Sequence, residues 1–284
     1  MYLSVVVPCF NEEEAIPLLV ERLSAVVEPW QQEAEIILVD DGSSDATWEA
    51  IRDAQLLNPI VRGLRLSANR GHQIALTAGL EAAKGDRIFM LDADLQDPPE
   101  LLPDMMKIMD QGFDVVYGRR EKRQGETLFK KLTAWGFYRI LNAMSDVEIP
   151  KDTGDYRLVS RRALDAVLSM PERSRFVRGM FAWAGFRQVG LDYIRDPRVA
   201  GETKYPFRAM LRFATDALTG FSTKPLKFAI RLSFFSLFVT ALMAVYVFTS
   251  LILFNTAPGW ASVVLAISFF SGVQLLTLGI LGEY

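Results

Sequence analysis

The chain has 284 residues, half of them hydrophobic and 23% charged, which excludes a disordered tail or a fibre and fits one large domain or two modest ones. One cysteine and one histidine exclude a disulfide framework, a cysteine-built zinc site and a cluster of imidazole ligands, and the lone Cys9 fits a reducing compartment. The net charge of −3 conceals three environments. Residues 1–117 hold 8 Lys/Arg against 21 Asp/Glu, residues 118–231 hold 23 against 12, and the remaining 53 residues hold only Glu283.

The first 118 residues alternate strand and helix patterns. Leu3–Val7, Glu35–Val39, Val61–Leu66, Arg87–Leu91 and Val115–Tyr117 are short apolar runs rich in β-branched residues, which predicts five strands. Ile16, Leu19, Leu23 and Val26 keep helical spacing after the first run, with Asn11 as the expected N-cap, and Ser44 or Asp45 is expected to cap the second helix. Gly85 and Gly112 follow the third and fourth helices, where a left-handed C-cap is wanted. The alternation predicts an α/β fold whose mostly parallel sheet is covered on both faces.

Ligands of such sheets sit beyond the carboxyl ends of the strands. The loops there read Pro8-Cys-Phe-Asn-Glu-Glu-Glu14, Asp40-Asp-Gly-Ser-Ser-Asp45, Ser67-Ala-Asn-Arg-Gly71 and Asp92-Ala-Asp-Leu-Gln-Asp97, and three of the four are acidic. No G-x-G-x-x-G follows the first strand and no G-x-x-x-x-G-K-[ST] occurs, so neither a dinucleotide nor a P-loop cradle is supported. Acidic loops suit a base and a ribose, which donate hydrogen bonds, and the pyrophosphate then needs a metal. Asp92-Ala-Asp94 at the end of the fourth strand offers hard oxygen ligands for Mg²⁺ or Mn²⁺. The lone His72 falls at a helix start and is expected to take no part in the chemistry.

Beyond the fifth strand Arg119, Arg120, Lys122, Arg123, Lys130 and Lys131 begin a basic stretch that recurs up to Arg231. The acidic half argues against a nucleic-acid partner, and a lipid phosphate at a membrane surface fits better. From Lys204, the residues Phe207, Leu211, Ala214, Leu218 and Phe221 step along one face with Lys204, Arg208 and Arg212 on its flank, which predicts an interfacial amphipathic helix. Leu232–Phe254 and Trp260–Leu281 are uncharged, each about 33 Å long as a helix, and predict two transmembrane helices joined by Asn255–Gly259. Arg212, Lys224, Lys227 and Arg231 precede the first span, which puts the N-terminal part in the cytoplasm, and no cleavable signal is expected before the first strand. The expected domains are therefore residues 1–203, an interfacial segment at 204–231 and a membrane hairpin at 232–284.

Taken in order, Val-Val-Pro8-Cys-Phe-Asn11-Glu12, Val39-Asp-Asp-Gly-Ser-Ser-Asp45-Ala-Thr47, Asn69-Arg-Gly71, Asp92-Ala-Asp94-Leu-Gln96-Asp97-Pro98, Gly118-Arg-Arg120, Asp152-Thr-Gly-Asp155-Tyr-Arg157 and Gly201-Glu-Thr-Lys204-Tyr205 resemble the family-2 glycosyltransferases of the GT-A fold. More closely, the chain is similar to dolichyl-phosphate mannosyltransferases and bacterial bactoprenol glucosyltransferases. The resemblance implies that Pro8, Phe10, Glu12, Val39 and Asp41 hold the nucleotide base and ribose. Asp92 and Ala93 then contact the nucleotide beside the metal, whose protein ligands are Asp94 and Gln96. Arg120, Lys131 and Lys204 face phosphates, and Asp152 or Asp155 occupies the position commonly assigned to a general base.

The expected reaction moves one sugar, with inversion, from a nucleotide-sugar to polyisoprenyl phosphate. UDP-glucose is the default donor because many bacterial relatives use it. The Q-x-x-R-W element of processive synthases is missing, the nearest stretch being Arg175-Phe-Val-Arg178-Gly-Met180. Transfer to another membrane acceptor such as a glycerolipid, and a catalytically silent protein that binds nucleotide-sugar, remain open beside this reading. A Ser268-x-x-x-Gly272 pattern would let helices approach closely, as in a homo-oligomer.

Overall fold

The structure is a computed structural model and describes residues 2–120, 153–172, 175–194, 224–253 and 259–283. Seven strands form one sheet: β1 (Leu3–Cys9), β2 (Ala34–Asp40), β3 (Val61–Arg65), β4 (Arg87–Met90), β5 (Val115–Arg120), β6 (Thr153–Ser160) and β7 (Gln188–Tyr193), in the order β3-β2-β1-β4-β6-β5-β7. The first four are mutually parallel, β6 runs antiparallel to both β4 and β5, and β7 is parallel to β5. The sheet is therefore mixed α/β, with the five expected strands present and two more, β6 and β7, that sequence periodicity did not indicate.

Every residue of β1 and β2 is buried, as befits central strands covered on both faces. Pro8 lacks an N–H yet sits in β1, because pairing with β4 stops at Val6 and only β2 lies beside Pro8, partnered at Val39. The crossover from β3 to β4 passes over β2 and β1, so the order reverses between β1 and β4. That reversal opens a crevice beyond their carboxyl ends.

Helix α1 (Ile16–Val27) buries Ile16, Leu19, Leu23 and Val27, so the stripe ends on Val27 and not on the expected Val26. Its N-cap position is Ala15, not Asn11. Asn11 instead takes a left-handed φ of 52°, tolerable for asparagine, and its Oδ1 accepts the N–H of Ser44 at 2.9 Å. The N-cap position of helix α2 (Thr47–Leu57) is Ala46, not the expected Ser44 or Asp45, though Asp45 Oδ1 accepts the N–H and hydroxyl of Thr47 at 3.1 and 2.6 Å. Gly112 has the expected left-handed φ of 91° after α4 (Leu102–Met109). Gly85 does not; it lets the chain pass close to β1, where a Cβ would meet the Ser4 nitrogen at 2.5 Å, and its N–H donates to Ser4 Oγ at 2.7 Å.

Helix α3 (His72–Ala82) lies on β1 and β2 through Gly79, where an added Cβ would meet Val6 Cγ1 at 2.4 Å and Val39 Cγ2 at 2.9 Å. Both neighbours are fully buried, β-branched side chains with little room to turn. Gly79→Ala is accordingly expected to destabilise by about 1–3 kcal/mol despite alanine's better helix propensity, read as a lowered thermal midpoint. Two short helices, α5 (Arg161–Leu168) and α6 (Val177–Trp183), complete this part of the chain.

Helices α7 (Lys224–Leu253) and α8 (Trp260–Glu283) belong to a separate compact unit. They pack on one another, and the space at Gly272 is taken up within the chain, since a Cβ there would meet Leu237 Cδ2 at 3.0 Å. Among the described residues one stretch, Ile230–Ser250, is long and apolar enough to cross a membrane, and a second apolar stretch, Val263–Leu278, is shorter. Two spans were expected. Phe234, Phe235, Phe238, Phe248, Phe269 and Phe270 are exposed on these helices, an apolar surface far larger than a water-facing protein tolerates. The expected amphipathic helix from Lys204 to Phe221 and the connector residues 255–258 lie outside the described residues.

Candidate active site

The crevice between β1 and β4 is walled by loops that hold one another. The N–H of Asn11 donates to Ser43 Oγ at 3.0 Å and that of Glu12 to Thr47 Oγ1 at 2.8 Å, which ties the loop after β1 to the loop after β2. Asp41 is buried, and its two carboxylate oxygens accept the N–H groups of Arg70 and Gly71 at 2.7 and 2.9 Å. Gly71, with φ +96°, then turns the chain into α3. Pro8 and Val39 are buried strand residues, Val39 packing toward α3, while Phe10 and Glu12 are half-buried at the mouth of the first loop.

The fourth loop is the most constrained. Leu95 adopts a left-handed φ of 55°, unusual for leucine, and its full burial in the core offsets the strain. Asp97 is fully buried and accepts a 2.5 Å hydrogen bond from the Tyr193 hydroxyl, with Arg120 Nη2 at 3.5 Å. The Tyr156 hydroxyl donates to the Pro98 carbonyl at 2.6 Å. Tyrosines from the two unforeseen strands thus fasten the segment that carries Asp92, Ala93, Asp94 and Gln96. Arg120, expected to face phosphates, is committed in part to Asp97 and to the Tyr193 hydroxyl at 3.2 Å.

Antiparallel pairing ends with Met90 opposite Arg157, so Asp92, two places beyond on the one strand, and Asp155, two places before on the other, leave the ladder on the same side. His72 stands between them, its Nε2 at 3.1 Å from Asp155 Oδ2 and 3.5 Å from Asp92 Oδ1. The expectation that His72 lies away from the carboxylates is therefore corrected: β6 brings Asp155 to it across 83 residues of sequence. Gln73 Nε2 donates to the same Asp155 oxygen at 2.7 Å, and Arg178 Nε lies 3.5 Å from Asp155 Oδ1. Arg157, buried beside them, donates to the Gly154 carbonyl at 2.9 Å.

Burial alone would raise the Asp155 carboxyl, but Arg178, His72 and Arg157 outweigh it and hold the group well below the usual carboxylate range. Burial lowers His72, yet Asp155 and Asp92 overcome it and push the imidazole up to about 9. Burial raises Asp92, its own pairing with His72 notwithstanding. At neutral pH the cluster holds an imidazolium and an ionised Asp155. A folded His72 value above its unfolded one gives stability that is complete below about pH 6.5 and lost as pH rises through about 9. The thermal midpoint is expected to fall across that window in metal-free buffer, and His72→Gln should remove that part of the slope.

Asp92 Oδ1 is buried without a hydrogen-bond partner, an orphaned acceptor that a cation or a substrate donor would satisfy. Asp94 is buried and accepts the Gln96 N–H at 3.2 Å, and the two side chains carry oxygen donors of the type that suits Mg²⁺ or Mn²⁺. Among the described residues no three His, Cys, Asp or Glu side chains form a complete metal cage, so substrate phosphate oxygens and waters would fill the remaining positions. Asp152, Lys131 and Lys204 lie outside the described residues. His72, Gln73, Tyr156, Arg178 and Tyr193 were missed by sequence reasoning. The signal for the first two was adjacency to the Ser67–Gly71 loop.

The model for glycosyl transferase family 2 matches residues 4–168. The chain is 45% identical over 285 residues to the uncharacterized glycosyltransferase YkcC of Bacillus subtilis, covering 99% of this chain and 87% of that protein. It is 36% identical over 288 residues to the prophage bactoprenol glucosyl transferase homolog of Escherichia coli, covering 100% and 93%. A solved mannosyltransferase from Pyrobaculum calidifontis, in complex with GDP-Man and Mn2+, matches with a TM-score of 0.50 at 18% identity over 99% of this chain and 73% of that one, a likeness of fold. With the family model spanning more than half of the chain and close relatives spanning nearly all of it, the chain is a glycosyltransferase and belongs to glycosyl transferase family 2.

Proposed function

We propose that the chain transfers one sugar, with inversion, from a nucleotide-sugar to the phosphate of a polyisoprenyl lipid at a membrane surface. The observation that carries the acceptor class is the state of Asp155. Its Oδ2 is filled by His72 and Gln73, and Arg178 faces its Oδ1, so the carboxylate is held ionised by cations and is a weak proton acceptor. His72 Nε2 is turned to Asp155 at 3.1 Å, and the two carboxylates push its imidazole up to about 9, which disfavours it as a base. A hydroxyl acceptor needs a base; a phosphomonoester, with a second pKa of about 6, arrives as a nucleophile without one.

In this reading a lipid phosphate oxygen attacks the anomeric carbon and the bond to the nucleoside diphosphate breaks. Pro8, Phe10, Glu12, Val39, Asp41, Asp92 and Ala93 hold the nucleotide, and Asp94 and Gln96 would hold Mg²⁺ or Mn²⁺, which when bound neutralises charge on the leaving diphosphate. Arg120, Lys131 and Lys204 neutralise the phosphates, and Asp155 and Asp152 place the acceptor. UDP-glucose is the proposed donor, its sugar in keeping with the bactoprenol glucosyl transferases that the chain resembles. The domain boundaries 1–203, 204–231 and 232–284, an amphipathic helix before two spans, and a cytoplasmic catalytic part belong to the same proposal, with the exposed apolar stretch Ile230–Ser250 in support.

Asp155→Asn tests the acceptor class. With polyprenyl phosphate the variant is expected to keep measurable transfer, because no proton has to leave the acceptor. Complete loss in a folded protein that still binds the nucleotide would make Asp155 a base and overturn this argument for the acceptor class.

A further inference from the structure

We propose that His72 is a positioning residue of the transfer step, resting on the glycosyl-transfer reading above. It fixes the orientation of the Asp155 carboxylate and sets its ring beside Asp92 on the loop after β4. A carboxylate oxygen has two in-plane lone pairs, and the N–H groups of His72 and Gln73, at 3.1 and 2.7 Å, occupy both on Oδ2. Oδ1 is buried and has no hydrogen-bond partner, Arg178 Nε standing off at 3.5 Å. The two donors on Oδ2 leave the carboxylate one orientation, with Oδ1 toward Arg178.

The geometry is held from both ends. Asp41 fixes the N–H groups of Arg70 and Gly71, so the start of α3, and with it the His72 ring, is set by the loop that reads the nucleotide. Gln73 is kept from turning because its Oε1 accepts the Val177 N–H at 2.8 Å, anchoring α6 in the same stroke. His72 Nε2 is 3.5 Å from Asp92 Oδ1, so one ring spans a carboxylate of the donor loop and one of β6. A displacement of either is passed to the other, which matters because a misplacement of about 1 Å costs on the order of 10²-fold in rate.

The test uses the full-length protein in detergent, with UDP-glucose and polyprenyl phosphate. His72→Leu is expected to lower kcat by about 10²-fold with the donor KM unchanged. His72→Gln, which puts an N–H at the reach of Nε2, should recover most of that loss. A wild-type kcat for His72→Leu, or a His72→Gln variant as slow as His72→Leu, would overturn the proposal. The chain has a single histidine, so ¹⁵N-histidine labelling yields one imidazole, whose Nε2–H is expected to be downfield and slow to exchange. A freely exchanging Nε2–H overturns the proposal as well. That signal needs no acceptor, so it is independent of whether the acceptor class is right.

Discussion

Asp94→Ala is expected to lower sugar transfer by about 10²–10³-fold while leaving the fold intact, measured as initial rate against Mn²⁺ concentration with the thermal midpoint as control. The activity loss follows from removing one of the few protein oxygens available to a cation beside a pyrophosphate. The fold survives because the loop is held at several other points besides the Asp94–Gln96 hydrogen bond. Leu95 is anchored in the core, Asp97 is clamped by Tyr193 and Arg120, and Pro98 is held by Tyr156. A variant that loses its activity together with its thermal midpoint would assign Asp94 a structural role instead. Asp92→Ala differs, because it also removes one of the two anions beside His72.

Asp155→Ala is expected to destabilise by about 3–5 kcal/mol, the largest stability effect of any single change in the site. The Asp155 side chain is 5% exposed and is the shared counter-charge of His72, Arg178 and Arg157, which would be left facing one another. The sign of the pH dependence follows. A folded Asp155 value held below the unfolded one of about 3.9 gives stability that is present above that pH and lost as pH falls through the folded value. Wild-type protein should therefore keep its thermal midpoint down to about pH 4 as far as this group is concerned. Asp155→Ala should start lower and have a flatter acid limb. Equal midpoints for the two proteins at neutral pH would mean that the cations are balanced elsewhere.

The parallel half of the sheet was legible because β1, β2 and most of β4 are buried and largely apolar, while β3, a partly exposed edge strand, still carries Val61 and Leu64. β6 was not, because Thr153, Asp155 and Arg157 face a polar site and interrupt the apolar alternation although they are buried. β7 was hidden for another reason: it is a half-buried edge strand whose Gly190 makes room for the Tyr117 ring. The loop carboxylates could be placed from the strand-end rule alone. Their company could not, since His72 and Asp155 meet only through the antiparallel insertion of β6 beside β4. Asn11 was misjudged as a cap because the same side chain that suits an N-cap also suits a left-handed loop position that braces Ser44. Burial of Pro8, Val39 and Asp41 was likewise not readable, and it shows these three as parts of the wall as much as parts of the surface.

The central claim is that a lipid phosphate receives a sugar in a reaction that depends on Asp94. The most direct measurement incubates detergent-purified protein with Mn²⁺, polyprenyl phosphate and radiolabelled UDP-glucose, and counts label extracted into the organic phase. The account predicts metal-dependent lipid label that is lost in Asp94→Ala, and label from a different nucleotide-sugar would change the donor alone. Folded protein that gives no lipid label from any nucleotide-sugar would contradict it.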